Sequence, residues 1–490
     1  MQIPTAAENS ALLKLTYGPT PADRAAFRAM GLAAWLDDQL NPNKAEDPTV
    51  AATMAKFKGI NLSNAQLLKT LPYSIRPRNA SEELSETTLY RRIYSTRQMF
   101  ETLVEFLEDY VPVNIKTEPS KRISYDRDVI RANALGDFPT LLWQASVHPA
   151  MLRFLSGYDN TRQHPNENFG RELLELFTVT TETPYTQTDV VNAARVFSGF
   201  RWDDKKQQLK PTPNAHWQGS VKVLGWTDPN PGRTAAQISA TAYSLVRYLA
   251  LLPETATAFA KRMARRYVAD SPSSAIVASM AAAYSQSSGN IPTVIRAMVN
   301  HPDFVTSLGA KLRRPTEFIV AALRTLNIAP PGQISFGDLS KNDYFSGSSL
   351  QKLRILTATH GHAPFDWQYP NGYPDTEAAW TTLSAQMTRW NNAIMWANGT
   401  GGYQQPDFAG LFSGQGVSVD SGNDWNSIVD AGSLQLFGRV LSPVRRTTVI
   451  AGAVKSDNLV RPGLTADQLF VEKCRAVTLL LLCTEDWNRR

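Results

Sequence analysis

One segment gathers residue types that could move protons or hold an anion: His164–Thr180, HPNENFGRELLELFTVT. Successive helical residues turn by about 100°, so with Asn168 at 0° Glu172 falls at about 40°, Glu175 at about −20° and Arg171 at about −60°. Phe169, Leu173, Leu176 and Phe177 fall on the other side. The segment therefore reads as a helix with one apolar face and one narrow polar stripe. Glu172 and Glu175 stand i,i+3, with Cβ atoms about 5–6 Å apart. They could carry general acid–base chemistry, or share a proton or a metal. The spacing is close to the carboxyl separation of retaining glycosidases, about 5–5.5 Å, but those groups face each other across the bond. Two neighbours on one helix point the same way, so a second catalytic group would come from elsewhere. Arg171 could grip an anionic group bidentately, with Asn168 beside it. The structural alternative is an ion-pair chain in which Arg171 bridges Glu167 and Glu175 at i,i+4.

Further groups could converge on this stripe. His216 and Lys222 lie in the next irregular stretch, and a histidine there could act as a second proton carrier. For a loop histidine such as His216 a surface position is the more common outcome, and Asp189 reads first as a first-turn residue favoured by the helix dipole. The loop FDWQYPNGYPDTEAAW holds Trp367 and Tyr373 among other aromatics. Such rings with Asp, Asn and Gln nearby suit a sugar, whose faces are apolar and whose edges need hydrogen bonds; they suit core packing as well. His360 and His362 form the one tight histidine pair, with Asp366 four residues on. No third and fourth ligand with suitable spacing can be named, so no metal is expected there.

Helices must position these groups. Thr20-Pro21, Asp126, Asp137, Thr186, Thr188 and Asp303 read as helix starts. A periodic run from Ser81 to Val111 stops at Pro112, and Gly31 marks another helix end. Gly170 inside a helix implies close approach of a second helix. Strand character is confined to Phe200–Trp226, read as a small β-hairpin excursion. The expected fold is mainly α: a large multi-helical domain. Its organisation is either an N-terminal lobe, 1–228, and a C-terminal lobe, 229–490, or one continuous domain.

Composition narrows the function. The 490 residues, 43% hydrophobic and 19% charged, can bury a large core without disulfide or metal support. Fifty Lys and Arg against 44 Asp and Glu leave +6, too diffuse for a dedicated nucleic-acid binder. No apolar stretch is long enough for a membrane span. MQIPTAAENS has neither a basic n-region nor an apolar h-region. The protein is expected to be extracytoplasmic if a leader has been removed, and cytoplasmic otherwise. Cys474 and Cys483 stand nine apart in one helix and cannot bridge within it. No P-loop, G-x-S-x-G elbow, H-E-x-x-H or C-x-x-C motif occurs, so no cofactor is identified.

The run NENFGRELLELF, followed by YTQTDV and ARVFSGF, resembles the core signature of the bacterial domain-of-unknown-function family 1800. LLKLTYGPTP, VIRANALGDFPTLL, VHPAMLRFL, HWQGSVKVLG, LRRPTEFIVAALRTL and YPNGYPDTEAAW resemble its other blocks, covering almost the whole chain. Members often carry F-W-x-x-H-F after the long helix. Here FLEDYVPV puts Leu107, Tyr110 and Val111 there, so a site using that histidine is not implied. The resemblance implies a bacterial, often exported protein, often encoded beside a sulfatase-like family that could be its partner. It implies no activity.

Two functions remain. One is a hydrolase or lyase on a carbohydrate-like polymer, neutral or anionic, using Glu172, Glu175 and His216 for acid–base chemistry. Asn168, Arg171, Lys222, Trp367 and Tyr373 would bind the substrate. The other is a non-catalytic helical binding or assembly protein working with an exported partner.

Overall fold

The computed structural model describes residues 3–70, 76–334, 336, 348–420, 424–457 and 463–490. Helices dominate it, and strands among these residues are confined to two small antiparallel pairs. Trp202–Asp203 pairs with Gln208–Leu209, and Val221–Val223 with Trp226–Asp228. The excursion is thus two successive hairpins.

Local chemistry explains most helix starts. Thr20 and Thr186 form capping boxes with Asp23 and Asp189, each satisfying two backbone donors reciprocally. Asp137 caps Phe138–Val147 by accepting from the Thr140 amide. Asp303 follows a cap made by His301, and Thr188 lies inside the helix that Thr186 begins. Gly31 does not end its helix outright: with φ 75° it kinks the run Pro21–Gln39. The run expected from Ser81 to Val111 is broken near Ser95 into Arg76–Tyr94 and Gln98–Tyr110.

Two stretches depart from α geometry. Tyr125–Arg131 and Leu173–Phe177 are π-helical. Their i→i+5 bonding adds a residue to the turn, so the 100° arithmetic fails beyond Glu172.

The larger apolar cluster joins residues from Ala11 to Phe304 and so crosses residue 228. A second cluster joins Tyr17, Leu89 and Ile93 to the span 318–487. The helix Gln98–Tyr110 is buried along nearly its whole length, including Glu101, Glu105 and Glu108. Packed beside it, Pro253–Tyr267 brings Arg262, Arg265 and Arg266 to one side. No described helix is long and apolar enough to cross a membrane.

Candidate functional site

The polar stripe is a surface ion chain. Arg171 reaches Glu167 Oε2 and Glu175 Oε1 at 3.3 Å each. Gln187 ties it to the next helix, accepting from Arg171 at 3.1 Å and donating to Glu167 at 2.6 Å. The Tyr185 hydroxyl donates to Glu175. Asn168 is exposed. Glu172 is half-buried; burial pushes its carboxyl above the ordinary glutamate range, with the charge of Glu175 adding and Arg171 opposing. Gly170 has the reason expected of it. A Cβ there would sit 2.9 Å from the Val190 carbonyl oxygen on Gln187–Val196.

His216 is remote in role from that stripe. It is fully buried, with Nδ1 at 2.8 Å from the Ser198 carbonyl and Nε2 at 2.8 Å from Asn230 Oδ1. Gly232, at φ 54°, is pressed so close that a Cβ would lie 2.3 Å from the imidazole. The ring clamps the excursion together. Lys222 is exposed on its strand, where its carbonyl accepts from Asn192 at 2.9 Å. Asp189 serves the capping box and also accepts from the Leu224 amide at 2.9 Å.

A cleft lies elsewhere, between the helix Pro253–Tyr267, the end of Gln98–Tyr110, the turn after Phe177 and the aromatic loop. Its outer chamber, about 560 Å³, is lined by Glu175, Thr180–Thr183, Glu254 and Lys261 among others. Its inner chamber, about 270 Å³, is lined by Asp109, Arg266, Trp367, Tyr373 and Asp375. Arg262, Arg265 and Asn371 line both, so the two are adjacent. Beyond Asp109, Trp367 and Tyr373 the space narrows to a hollow of about 20 Å³ against Glu108 and Arg122. The cleft therefore tapers inward. Of the residues singled out from sequence, Glu175, Trp367 and Tyr373 line these spaces; Asn168, Arg171, Glu172, His216 and Lys222 do not.

The inner floor is a buried lattice of ion pairs. Glu105, with 4% of its side chain exposed, meets Arg92 and Arg314 at 3.0 Å and Arg266 at 2.5 Å. Burial opposes its ionisation, but the three guanidiniums outweigh burial and hold the carboxyl well below the usual range. Arg266 also meets Glu317 at 2.5 Å, Arg314 meets Asp109 at 2.5 Å, and Lys311 meets Asp375 at 3.4 Å. Asp109 goes the other way: burial pushes its carboxyl up despite Arg314. Burial, helped by Asp126 and opposed by Arg122, also pushes Glu108 up to about 8. Two neighbouring carboxyls thus face the narrow end with raised proton affinity, a pattern that active sites share with structural networks.

The aromatic loop is seated on this floor through a glycine. Gly372 has φ 71°, and a Cβ there would sit 2.0 Å from the Asp109 carbonyl oxygen. The next amide, Tyr373 N, donates to Asp109 Oδ1 at 3.4 Å. Trp367 Nε1 donates to Asn371 at 2.8 Å and the Tyr373 hydroxyl to the Ala363 carbonyl at 2.8 Å. The two rings pack at 5.0 Å. Thr180, at φ 65°, and Phe365, at φ 64°, hold left-handed conformations beside the cleft. Both are costly for such side chains, and strain of this kind concentrates at functional sites.

His362 is buried beneath Tyr373 and Trp380, its Nδ1 accepting from the Thr316 amide at 3.2 Å. Burial first, then Arg314, drives it well below the ordinary histidine range. His360 turns to Asn392 at 2.6 Å, and Asp366 pairs with Lys116 at 2.6 Å. Among the described residues no three His, Cys, Asp or Glu side chains cluster to hold a metal. A buried Ser124–His148 contact, 3.1 Å, is not a nucleophile–base pair. Nδ1 of His148 accepts from the Ala150 amide, so the neutral ring carries its proton on Nε2, facing the serine.

Asp109, Arg262, Arg265, Glu105 and Arg314 were not singled out from sequence. The available signal was acidic residues recurring through an otherwise apolar helix, Glu101, Glu105 and Glu108, with KRMARR and RRP elsewhere.

The architecture is that of a mainly helical protein with a tapered cleft floored by paired charges and roofed by an aromatic loop. A family model described as protein of unknown function (DUF1800) matches residues 10–485, and the chain belongs to that family. Comparison with curated proteins and with solved structures finds no match.

Proposed function

We propose that the protein is a hydrolase or lyase acting on a carbohydrate-like polymer in the tapered cleft. The observation that carries this reading is that the two chambers adjoin at Arg262, Arg265 and Asn371. Glu175 lines the outer one, and Trp367, Tyr373 and Asp109 line the inner one. The rings offer apolar faces to sugar rings, and the surrounding Asn371, Thr180 and Thr183 offer hydrogen bonds to their edges. Glu175 is the proton-transferring carboxylate of the outer chamber, with Tyr185 and Arg171 fixing its orientation. Asp109, with raised proton affinity, is the second group. Glu172 stands beside Glu175 and feels its charge, and His216 holds the fold of the neighbouring hairpins. The test is release of new chain ends from a panel of neutral and acidic polysaccharides. A Glu175→Gln variant is expected to lose turnover while melting within a few degrees of the parent. Undiminished turnover in that variant would remove Glu175 from the chemistry.

The second reading, an assembly protein, draws on one feature. Leu383, Met387, Trp390 and Ile394 form an exposed apolar line on Leu383–Asn398, the largest being 74% exposed. Its spacing of four, three and four residues is that of a helix–helix seam. Concentration-independent monomer mass, unchanged in a Met387→Lys variant, would argue against it.

A further inference from the structure

We infer that the junction between the two chambers is a seat for a single carboxylate, so that the substrate is a uronic-acid-type sugar polymer. This rests on the carbohydrate reading above and narrows it. The inference comes from balancing the charges that line the cleft. Asp109 is matched by Arg314, and Asp375 shares Lys311 with the closer Asp270. Arg266 is matched by Glu105 and Glu317, Glu175 by Arg171, and Lys261 by Glu182 at 2.6 Å. Glu254 is exposed at the outer rim. Two cations remain without a carboxylate within 4 Å among the described residues, Arg262 and Arg265. Together with Asn371 they are the residues shared by both chambers.

Both are half-buried. Burial pulls the Arg262 guanidinium below its ordinary range, with Tyr110, Asp109 and Asp375 opposing. Yet Arg262 has few free donors. Its Nη1 donates to the Leu176 carbonyl and its Nη2 to the Asp109 carbonyl, each at 3.0 Å, and its plane stacks on Tyr110 at 3.8 Å. It supplies charge from a fixed position. Arg265 spends only Nε, on the Asp270 carbonyl at 3.2 Å. Its two Nη groups donate to no acceptor among the described residues and form one open fork.

One open fork backed by one fixed charge matches a planar monoanion, which takes two parallel N–H bonds from a guanidinium. A phosphate dianion would demand more donors than one open fork supplies. Trp367 and Tyr373 line that inner chamber, placing a ring-stacking surface next to the seat. A carboxylate carried on a sugar ring satisfies both features at once.

The experiment is calorimetric titration of the full chain with trigalacturonate, maltotriose and inorganic phosphate, repeated with Arg265→Gln and Arg265→Lys. The inference expects trigalacturonate to bind at least tenfold more tightly than maltotriose. Arg265→Gln should erase that difference, and Arg265→Lys, which keeps the charge but not the fork, should recover only part of it. Unliganded melting curves within a few degrees of the parent certify both variants as folded; if the glutamine variant is not, the lysine variant carries the test. Equal binding of the two trisaccharides, or binding of trigalacturonate undiminished in the folded variants, overturns the carboxylate seat and leaves the carbohydrate reading standing. Phosphate binding lost in Arg265→Gln, with neither saccharide bound, overturns the carbohydrate reading and with it the uronate. No binding of any probe overturns both.

Discussion

The helix Glu167–Glu172 with its π-helical extension and the helix Gln98–Tyr110 both carry glutamates paired with arginines, in opposite surroundings. Along the first, Arg171 is 39% exposed and its two partners 23% and 37% exposed. Along the second, Glu105 and its three guanidiniums are 5% exposed or less. Exposed pairs are screened by water and contribute little. Buried charges are costly to desolvate and depend on every partner being present. The same residue types therefore make a surface chain that adds little to stability in one place and the floor of a cleft in the other.

The sharpest contrast comes from deleting one charge in each. Glu105→Gln leaves Arg92, Arg266 and Arg314 without their shared counter-ion and is expected to cost about 3–5 kcal/mol in urea unfolding. A loss below about 1 kcal/mol would mean that the lattice is not a unit.

Acid should dissolve the buried network by a defined route. Burial opposes ionisation of Glu317, but Arg266, Arg490 and Arg314 hold it down from 4.5 to about 2. A folded-state value below the unfolded one means stability that is present above pH 4.5 and lost as pH falls toward 2. That shift corresponds to about 3 kcal/mol. The stability gap between parent and Glu317→Gln should be widest above pH 4.5 and close by about pH 2. A gap constant across that window would contradict the pairing.

Gly372→Ala pushes a methyl against the Asp109 carbonyl oxygen in a left-handed backbone. The expected cost is about 1–3 kcal/mol, with weaker saccharide binding because the aromatic loop loses its seat. Unaltered stability and binding would show that the loop is not held there. The smallest effect belongs to the surface chain. Arg171→Gln should change stability by less than about 1 kcal/mol, with a further decrease in added salt. A loss as large as that of Glu105→Gln would abolish the contrast.

Much of this was legible in the sequence, for local reasons. Capping residues such as Thr20 and Thr186 act within one turn, so the helices they start can be read directly. Gly170 announced a close helix approach because a helical glycine has a cost that packing must repay. The hairpin region followed from alternation and turn residues. The cleft was only partly legible. Trp367 and Tyr373 stood out as aromatics in a turn-rich loop, and Glu175 through its motif. The burial of His216 was not legible, because spacing along the chain does not tell a clamped ring from an open one. Asp109 and Arg262 were silent because the contact between them spans more than 100 residues of chain. The π-helical turn at Leu173–Phe177 was equally silent, so the angular reading of the stripe stopped being valid at Glu172.

The central claim is that ligand chemistry belongs to the tapered cleft and not to the exposed stripe. Crystals of the protein soaked in trigalacturonate test it most directly. The expected result is a saccharide spanning the junction of the chambers, with a carboxylate on Arg265 and a ring against Trp367 or Tyr373. A saccharide bound along Asn168 and Arg171, with the cleft empty, would contradict it.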